Sequence, residues 1–300
     1  MTNYDVVVVG GGAAGLAGAL VLARARRRVV VVDAGGQRNA PAGHVHNYLG
    51  REGTPPAELV AIGRREVESY GAEVVRGTVT AARADGAGFV VTTDAGALRA
   101  RRLLVATGVA DELPDVPGLA ERWGTTVLHC PYCHGWEVRD RAIGILGTGP
   151  LAEHQALLWR QLSADVTLFT HTGPAPADPA TLRRRGIAVV AGEVVGVTGA
   201  ADVRLAAGGP VPRDALVVAT RMRARADWLA PLGLATVDKL MNGVVIADHL
   251  ATGPLGRTDV PGVYAAGNIA DPTAQVLVSA AAGLTAGAGI NADLIAEDAA

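Results

Sequence analysis

Two stretches of the chain share one order of apolar and polar positions. Val6 to Val9 is an uninterrupted run of β-branched residues, which is typical of a parallel strand buried on both faces. A glycine-rich turn, an Ala- and Leu-rich helix to about Arg26 and a second valine run, Val29 to Val32, follow it. The segment from residue 142 to 169 repeats this order of strand, glycine turn, helix and strand. The repeat predicts two nucleotide-binding-type α/β domains.

Apolar runs outside the repeat predict the remaining elements. A buried strand at 103–106 ends in the turn Thr107-Gly108, and another buried strand is expected at 216–220. A long helix of small residues, about Gln275 to Ile295, closes the chain and suits close packing against a sheet or a cofactor. The other expected elements are a helix at 56–70 and short strands near 72–79, 89–93 and 98–100.

Composition narrows the class of protein. A chain of 300 residues, nearly half of them apolar, is long for one core and suggests two domains. The formal net charge of −2 gives no electrostatic case for a nucleic-acid partner. The first residues lack the basic and cleavage regions of a signal peptide, and no apolar run has the length of a membrane span. We therefore expect a cytoplasmic protein with no membrane partner.

The first glycine turn carries a complete dinucleotide-binding fingerprint. Gly10 permits the tight turn, Gly12 lets the backbone approach a pyrophosphate, and Gly15 lets the helix lie close to the strand. Asp33 ends the second strand, where a carboxylate can accept a hydrogen bond from a ribose hydroxyl. The pattern predicts nucleotide binding; the alternative is a tight strand-to-helix turn with no ligand.

The second copy departs from this fingerprint at the positions that read a nucleotide. Its turn, residues 147–152, contains Pro150, which has no amide for a phosphate. Its second strand ends in Thr170-His171, with no acid for a ribose diol and no arginine for a 2′-phosphate. The run Arg183 to Arg185 is better explained as a solvated helix end. The fold is duplicated, whereas NAD(P)H binding is doubtful.

The chain has two cysteines, Cys130 and Cys133, separated by two residues. A Cys-x-x-Cys pair can cycle between dithiol and disulfide, and its geometry lowers the pKa of one thiol. His129 and His134 flank the pair, and either imidazole can exchange a proton near neutral pH. The stretch predicts a redox-active dithiol with its own acid–base group.

Two alternatives for the dithiol stretch stay open, and so do the roles of the loop histidines and of Glu137. A zinc site would need both histidines as ligands at crowded spacing, so we expect no metal. A purely structural disulfide would close too small a loop to add much stability. The histidines His44 and His46 fit an ordinary surface loop better than a loop over a cofactor. Glu137 either orients His134 or is a solvated carboxylate.

Taken together, the motifs resemble those of the low-molecular-weight thioredoxin reductases over essentially the whole chain. They are, in chain order, Gly10-x-Gly12-x-x-Gly15, Ala106-Thr107-Gly108, Cys130-x-x-Cys133, Gly147-x-Gly149-x-x-Ala152, Ala265-Ala266-Gly267 and Ala274-Gln275-Val276. The resemblance implies an α/β fold of two Rossmann-like, three-layer ββα domains, the second inserted into the first. It implies an FAD domain at 1–115 and 247–300, a dithiol-bearing NAD(P)-type domain at 116–246, and a homodimer.

The same resemblance implies the site residues. Cys133 would face the flavin, Cys130 would meet the substrate, and His134 would serve as base and acid. Gly267 and Asn268 would approach the phosphate and ribityl side of FAD, and Gln275 and Val276 the flavin ring. The residues expected to hold FAD are Gly10, Gly12, Ala13, Ala14, Gly15, Asp33, Ala106, Thr107, Gly108, Gly267, Asn268, Gln275 and Val276.

Three departures indicate a subgroup of that family. His134 stands where the reductases have an aspartate, Asn268 replaces the usual aspartate after Gly267, and the basic cluster for NADPH is missing around His171. These features resemble the flavin-dependent dithiol oxidases of holomycin and gliotoxin biosynthesis. They favour oxidation of a small-molecule dithiol, with electrons passing through FAD to oxygen. The alternatives are an NAD(P)H-dependent reductase of a thioredoxin-like protein and a flavin-bound redox sensor.

Overall fold

A computed structural model describes residues 3–300. The chain forms two compact units. The first unit runs to Ala110 and resumes at Met222, and the second unit is Asp111–Arg221. The chain therefore passes from one unit to the other twice, so the second unit is an insertion in the first.

Strands alternate with helices over residues 3–76 and 127–190, and most of the remaining described elements are consecutive strands. The strands are β1 Asn3–Val9, β2 Val29–Asp33, β3 Glu73–Arg76, β4 Val79–Asp85, β5 Gly88–Thr93, β6 Gly96–Val105, β7 Val109–Glu112, β8 Val127–Leu128, β9 Ile143–Leu146, β10 Val166–Phe169, β11 Ala188–Val190, β12 Val194–Thr198, β13 Asp202–Leu205, β14 Ala215–Val218, β15 Arg221–Ala224, β16 Thr236–Met241, β17 Val244–Leu250 and β18 Val263–Ala265. The α-helices are α1 Ala13–Arg24, α2 Pro56–Ser69, α3 Pro131–His134, α4 Ala152–Trp159, α5 Pro179–Arg184 and α6 Val276–Asp298.

A parallel sheet forms the centre of the first unit. Its order is β3-β2-β1-β6, with β18 on the other side of β6 and the antiparallel β5 and β4 extending it. Val9 lies opposite both Val32 and Val105, so the strands end level with one another. The valine runs of β1 and β2 are almost entirely buried, as expected of strands covered on both faces. The level strand ends create one edge at which the following turns meet.

Helices α1 and α6 pack together on one face of this sheet. Small residues allow the close approach, because a side chain at Gly283 would collide with the backbone of Ala14. Helix α6 is long and apolar enough to cross a membrane, a property that core helices of soluble proteins share. Here Ile290 and Leu294 are fully buried in the unit's core, which makes α6 a core helix.

The second unit has its own five-stranded parallel sheet, in the order β11-β10-β9-β14-β8. Ile143, Ile145 and Trp159 lie in the core on one face, and Val127, Phe169 and Leu216 lie in the core on the other. None of these side chains is more than marginally exposed. The two α/β units expected from the repeated pattern are therefore both present.

The structure places residues 222–246 in the first unit, whereas the sequence assigned them to the inserted domain. β15, β16 and β17 join one sheet, and Leu229 is buried in the core beneath the first unit's main sheet. The first crossing also comes earlier than expected, after Ala110 rather than after residue 115. Hydrogen bonding within a sheet and burial of Leu229 decide these bounds, and neither leaves a local sequence signal.

Candidate nucleotide and dithiol sites

The first glycine turn has the backbone geometry that its residues predict. Gly10 has a φ of +107°, and a side chain there would collide with the carbonyl oxygen of Ala106. Its amide donates to the Val32 carbonyl oxygen at 2.8 Å, which ties β1 to β2 at the turn. A side chain at Gly15 would collide with the Gly10 carbonyl oxygen. Glycine is therefore needed at both positions for close packing of α1 on the sheet.

Gly12 differs from these two glycines. A β-carbon built on Gly12 meets nothing within 4 Å. Gly12 is also the N-cap of α1, which has no side-chain cap and no acidic residue in its first turn. The space beside Gly12, at the N-terminus of α1, is therefore left open by the described chain. Such a cradle, at the positive end of a helix dipole, fits the pyrophosphate of a dinucleotide.

Asp33 lies at the end of β2 and is almost completely buried. Its Oδ1 accepts hydrogen bonds from the amides of Gly11 at 3.1 Å and Gly35 at 3.3 Å. Its Oδ2 accepts one from the Arg64 guanidinium at 2.5 Å. Asp33 is thus positioned by the glycine turn and by α2, and nothing in the sequence marked Arg64 as its partner.

The Ala106-Thr107-Gly108 turn follows β6 and lies beside the glycine turn. The Ala106 amide donates to the Val9 carbonyl oxygen at 2.8 Å. The Thr107 hydroxyl donates to the Arg225 carbonyl oxygen at 2.8 Å, and the Arg225 amide donates to the Gly108 carbonyl oxygen at 3.1 Å. Arg225 also donates from its guanidinium to the Gly36 carbonyl oxygen at 2.8 Å. Arg225, which the sequence did not single out, therefore fastens two loops of this edge.

Gly267 and Asn268 follow β18 at the same edge. Gly267 has a φ of +78°, and its α-carbon lies so near the Ala14 side chain that a β-carbon would be 2.7 Å from the Ala14 Cβ. The Asn268 side-chain amide donates to the carbonyl oxygens of Asp271, Pro272 and Ala274, at 3.1, 3.1 and 2.8 Å. Its nitrogen thus shapes the turn that leads into α6.

Gln275 and Val276 stand at the start of α6, Gln275 as its N-cap and Val276 as its first residue. The expected FAD residues therefore converge on one edge of the first sheet, from the ends of β1, β2, β6 and β18 and the start of α6. The open cradle at Gly12 and the buried acid Asp33 fit the pyrophosphate and the ribose of FAD.

The dithiol lies in the second unit, directly after β8. Cys130 and Cys133 form a disulfide with 5.3 Å between their α-carbons. Cys130 is the N-cap of the short helix α3, and its carbonyl oxygen accepts from the amides of Cys133 and His134, both at 3.2 Å. Both cysteines are partly exposed. Residues 3–300 contain no cluster of three or more ligand side chains that could hold a metal.

Each histidine beside the disulfide is partly buried. His129 Nδ1 donates to the Val218 carbonyl oxygen at 3.1 Å, which ties the end of β8 to the end of β14. His134 is the last residue of α3, one position after Cys133. Both imidazoles are thus close in sequence to the sulfurs, and His129 has its ring orientation set by the backbone.

Two exposed aromatic side chains lie in and just after α3, the redox helix. Tyr132, within the helix, is 64% exposed, and Trp136, two residues beyond its end, is 67% exposed. The Arg139 guanidinium lies 4.1 Å from the Trp136 ring centroid and donates to the Trp136 carbonyl oxygen at 2.8 Å. The surface beside the disulfide is therefore aromatic.

The second glycine turn is built differently from the first. Helix α4 has an acid, Glu153, in its first turn, and the Glu153 carboxylate accepts from the amides of Ala177 and Asp178. A carboxylate there opposes a phosphate at the helix N-terminus. By strand register Thr170 stands at the position that corresponds to Asp33, and the next residue, His171, accepts at its Nδ1 from the Val194 amide at 3.0 Å. Burial lowers the pKa of His171.

The structure also describes the arginine run after the second glycine turn and the histidines of the loop after β2. Arg183, Arg184 and Arg185 lie exposed at the end of α5. In the loop after β2, His46 Nδ1 contacts the Glu52 carboxylate at 2.5 Å, and this contact lowers the pKa of Glu52. The His44 and His46 rings lie 6.1 Å apart.

Comparison with known proteins agrees with this architecture. Residues 4–283 match the model of the family described as pyridine nucleotide-disulphide oxidoreductase. The chain is 33% identical over 282 residues to thioredoxin reductase tcpT of Claviceps purpurea, which covers 88% of this chain and 86% of the relative. It is 31% identical over 324 residues to thioredoxin reductase sirT of Leptosphaeria maculans, covering 98% of this chain and 95% of the relative.

Two solved structures are similar over nearly their whole length. The crystal structure of HlmI superposes with a TM-score of 0.90 at 44% identity, covering 100% of this chain and 96% of that one. An oxidoreductase from Agrobacterium tumefaciens superposes with a TM-score of 0.92 at 37% identity, covering 98% and 99%. With the fingerprint, the disulfide and the inserted second unit, these matches show that the chain belongs to the pyridine nucleotide-disulphide oxidoreductase family, whose thioredoxin reductase-like members are FAD-binding oxidoreductases.

Proposed function

We propose that this oxidoreductase oxidises a small-molecule dithiol to an intramolecular disulfide, using the Cys130–Cys133 pair, FAD and oxygen. The observation that carries the proposal is the construction of the second glycine turn. Glu153 brings a negative charge to the first turn of α4, which disfavours a phosphate at that helix N-terminus, and Thr170 stands where the first unit has the acid Asp33. The first unit, by contrast, has an open cradle at Gly12 and an acid at Asp33.

The exchange of disulfide for dithiol takes place in two steps. A substrate thiolate attacks the Cys130 sulfur, the Cys130–Cys133 bond breaks, and Cys133 leaves as a thiolate. The second substrate thiolate then attacks the substrate sulfur of this mixed disulfide and releases Cys130. The substrate loses two electrons and two protons, and the enzyme disulfide becomes a dithiol. When bound, FAD supplies the two-electron acceptor that restores the disulfide and passes the electrons to oxygen.

His134 is proposed as the base and acid of this exchange. Thiolates attack and thiols do not, so the substrate must lose its protons beside the disulfide. His134 adjoins Cys133 in the redox helix, and imidazole exchanges protons near neutral pH. It would take a proton from the substrate thiol and return one to the Cys133 thiolate.

We also propose the FAD-binding residues that the likeness to thioredoxin reductases implies. The pyrophosphate of FAD would lie on the amides of Ala13, Ala14 and Gly15, with Asp33 at its ribose. Gly267 and Asn268 would border the phosphate and ribityl chain, and Gln275 and Val276 the flavin ring. Ala106, Thr107 and Gly108 would form the facing wall.

A second candidate is an NAD(P)H-dependent reductase acting on a thioredoxin-like protein. The names of the fungal relatives, which are thioredoxin reductases, favour it. It requires a nicotinamide nucleotide to bind at Gly147 to Ala152, despite Glu153 and Pro150. The two candidates differ in which molecule delivers electrons to the flavin.

Anaerobic mixing separates the two candidates. The purified holoenzyme is mixed without air with NADPH, NADH or dithiothreitol, and the flavin absorbance is followed. We expect bleaching with dithiothreitol and none with either nicotinamide. Rapid bleaching with NADPH or NADH would contradict the oxidase. Cys133→Ser is the control: it should keep its FAD and lose the response to dithiothreitol, since the electron path begins at the disulfide.

We also propose a homodimer, which the likeness to thioredoxin reductases implies. The hairpin of β16 and β17 exposes the apolar side chains of Val237, Leu240, Met241 and Val245, a surface of the kind that a second copy would cover. Sedimentation velocity should give twice the mass of 30.5 kDa; a monomer at micromolar concentration would contradict this.

A further inference from the structure

The carboxylate of Asp33 has an unusual set of neighbours for a group expected to read a ribose. The side chain is only 7% exposed, and three donors already surround it. Two are backbone amides, from Gly11 and Gly35, and both point at Oδ1. The third is the Arg64 guanidinium, which donates to Oδ2 at 2.5 Å.

An ionised carboxylate offers about four acceptor positions. Three are used by the chain itself, so one direction remains, on the oxygen that Arg64 contacts. A charged hydrogen bond is shorter and stronger than a neutral one, and a guanidinium is a rigid planar donor. The position of Arg64 therefore determines where the last acceptor of Asp33 points.

The packing of α2 brings Arg64 to this place. Gly63 lies against Leu16 of α1, since a β-carbon on Gly63 would be 3.0 Å from Leu16 Cδ1. This contact brings the backbone of α2 close to α1 and sets the next residue, Arg64, over the end of β2. Arg65, one position further, is exposed. The two neighbouring arginines thus have different environments on one helix.

We infer that Arg64 is a positioning residue for the adenosine half of FAD. It neutralises the buried Asp33 carboxylate and orients its free acceptor toward the ribose hydroxyls. This inference rests on the proposed assignment of the first glycine turn to FAD. It adds to that assignment a residue on α2, outside every motif of the glycine turns.

Titration of the apoprotein with FAD, followed by quenching of the flavin fluorescence, tests the role. We expect Arg64→Met to raise the dissociation constant about tenfold. The matched control, Arg65→Met, should change it less than about twofold, because Arg65 is exposed. Arg64→Lys, which keeps the charge but not the planar fork, should fall between wild type and Arg64→Met.

A double-mutant cycle with Asp33→Asn separates orientation of Asp33 from general support of the fold. In the Asp33→Asn background, Arg64→Met should weaken FAD binding less than about twofold, since the group it orients is gone. That background also has no buried charge to leave unpaired, so the double variant should fold even where Arg64→Met alone does not. If Arg64→Met alone does not fold, Arg64→Lys replaces it in the cycle. The effect of Arg64→Lys on FAD affinity should likewise disappear in the Asp33→Asn background.

Three results would overturn the inference. They are wild-type FAD affinity in Arg64→Met, an equal loss in Arg65→Met, and an undiminished effect of Arg64→Met in the Asp33→Asn background. The titration measures cofactor binding without turnover. If the titration contradicts the role of Arg64, the proposed dithiol oxidation still has its own anaerobic test. If the anaerobic test contradicts the oxidase, the inference about Arg64 still stands.

Discussion

At the scale of single residues, the disulfide and its neighbours form the reactive part of the molecule. Cys130 caps the redox helix, and its carbonyl oxygen holds the amides of Cys133 and His134. The sulfurs and the proposed acid–base group are thus positioned by one turn of backbone. The glycines of the first turn act differently. Because they have no side chains, they allow close packing at Gly10 and Gly15 and leave open space at Gly12.

His134→Ala tests the acid–base role. General acid–base groups contribute roughly 10²- to 10⁴-fold, so we expect kcat with dithiothreitol to fall by about 100-fold. The pH profile of kcat/KM should lose the limb that an imidazole causes near neutral pH. His154→Ala is the control, because His154 lies exposed on α4 of the same unit. An unchanged pH profile in His134→Ala would show that His134 is not the acid–base group.

Gly12→Ala tests the phosphate cradle. The new β-carbon meets no atom of the chain within 4 Å, so the apoprotein should keep its free energy of unfolding within about 0.5 kcal/mol. The same carbon occupies the space for the pyrophosphate, so FAD affinity should drop about tenfold, or about 1.4 kcal/mol. Chemical denaturation and FAD titration measure the two effects. Gly15→Ala is the contrasting variant, which should lower stability because its β-carbon collides with the Gly10 carbonyl oxygen.

At the scale of elements, α6 joins the cofactor edge to the far end of the first sheet. Its first turn carries Gln275 and Val276, and its last turns are held by arginines of β6. Arg102 contacts Asp293 at 2.6 Å and Glu297 at 2.5 Å, and Arg101 contacts Glu297 at 2.8 Å and Asp298 at 2.5 Å. The C-terminal end of the helix is thus anchored to β6.

Arg102→Met should loosen the C-terminal end of α6. The Arg102 side chain is only 10% exposed, and loss of its charged hydrogen bonds should lower the free energy of unfolding by roughly 1–3 kcal/mol. Arg99→Met removes an exposed ion pair with Asp85 and should cost less than about 1 kcal/mol. Urea denaturation of both variants measures the difference, and equal losses would contradict the anchoring role of Arg102.

The same contacts predict an acid sensitivity. Hydrogen bonds from Arg101 and Arg102 lower the pKa of Glu297, and those from Arg27 and Arg101 lower the pKa of Asp298. Because these pKa values are lower in the folded than in the unfolded chain, the contacts stabilise above the unfolded pKa and are lost as pH falls through the folded pKa. Stability should therefore decrease below about pH 4. Arg102→Met should show a shallower decrease between about pH 5 and pH 3 than the wild type.

At the scale of the whole molecule, each unit has its own hydrophobic core. The expected FAD residues lie in the first unit alone, and the disulfide lies in the second. Binding of FAD should therefore stabilise one unit directly. The division also separates cofactor binding from thiol exchange, so that variants can affect one without the other.

Removal of FAD tests this division. A ligand at 100 times its dissociation constant stabilises the folded state by about 2.7 kcal/mol. Scanning calorimetry of holoprotein and apoprotein should show a lower transition for the first unit in the apoprotein and little change for the second. Reduction of the disulfide gives the matched comparison, because it alters only the second unit. An equal shift of both units on FAD removal would contradict separate cores.

The local sequence determined the repeated strand–turn–helix units, the first glycine turn and the dithiol, because each depends on residues adjacent in the chain. Tertiary structure alone decided that Arg64 meets Asp33, that Arg225 fastens the loops after β2 and β6, and that residues 222–246 join the first unit. It also turned His171 onto the backbone of Val194. These contacts join residues distant in sequence, and the packing of helices on sheets, which no local pattern encodes, brings them together.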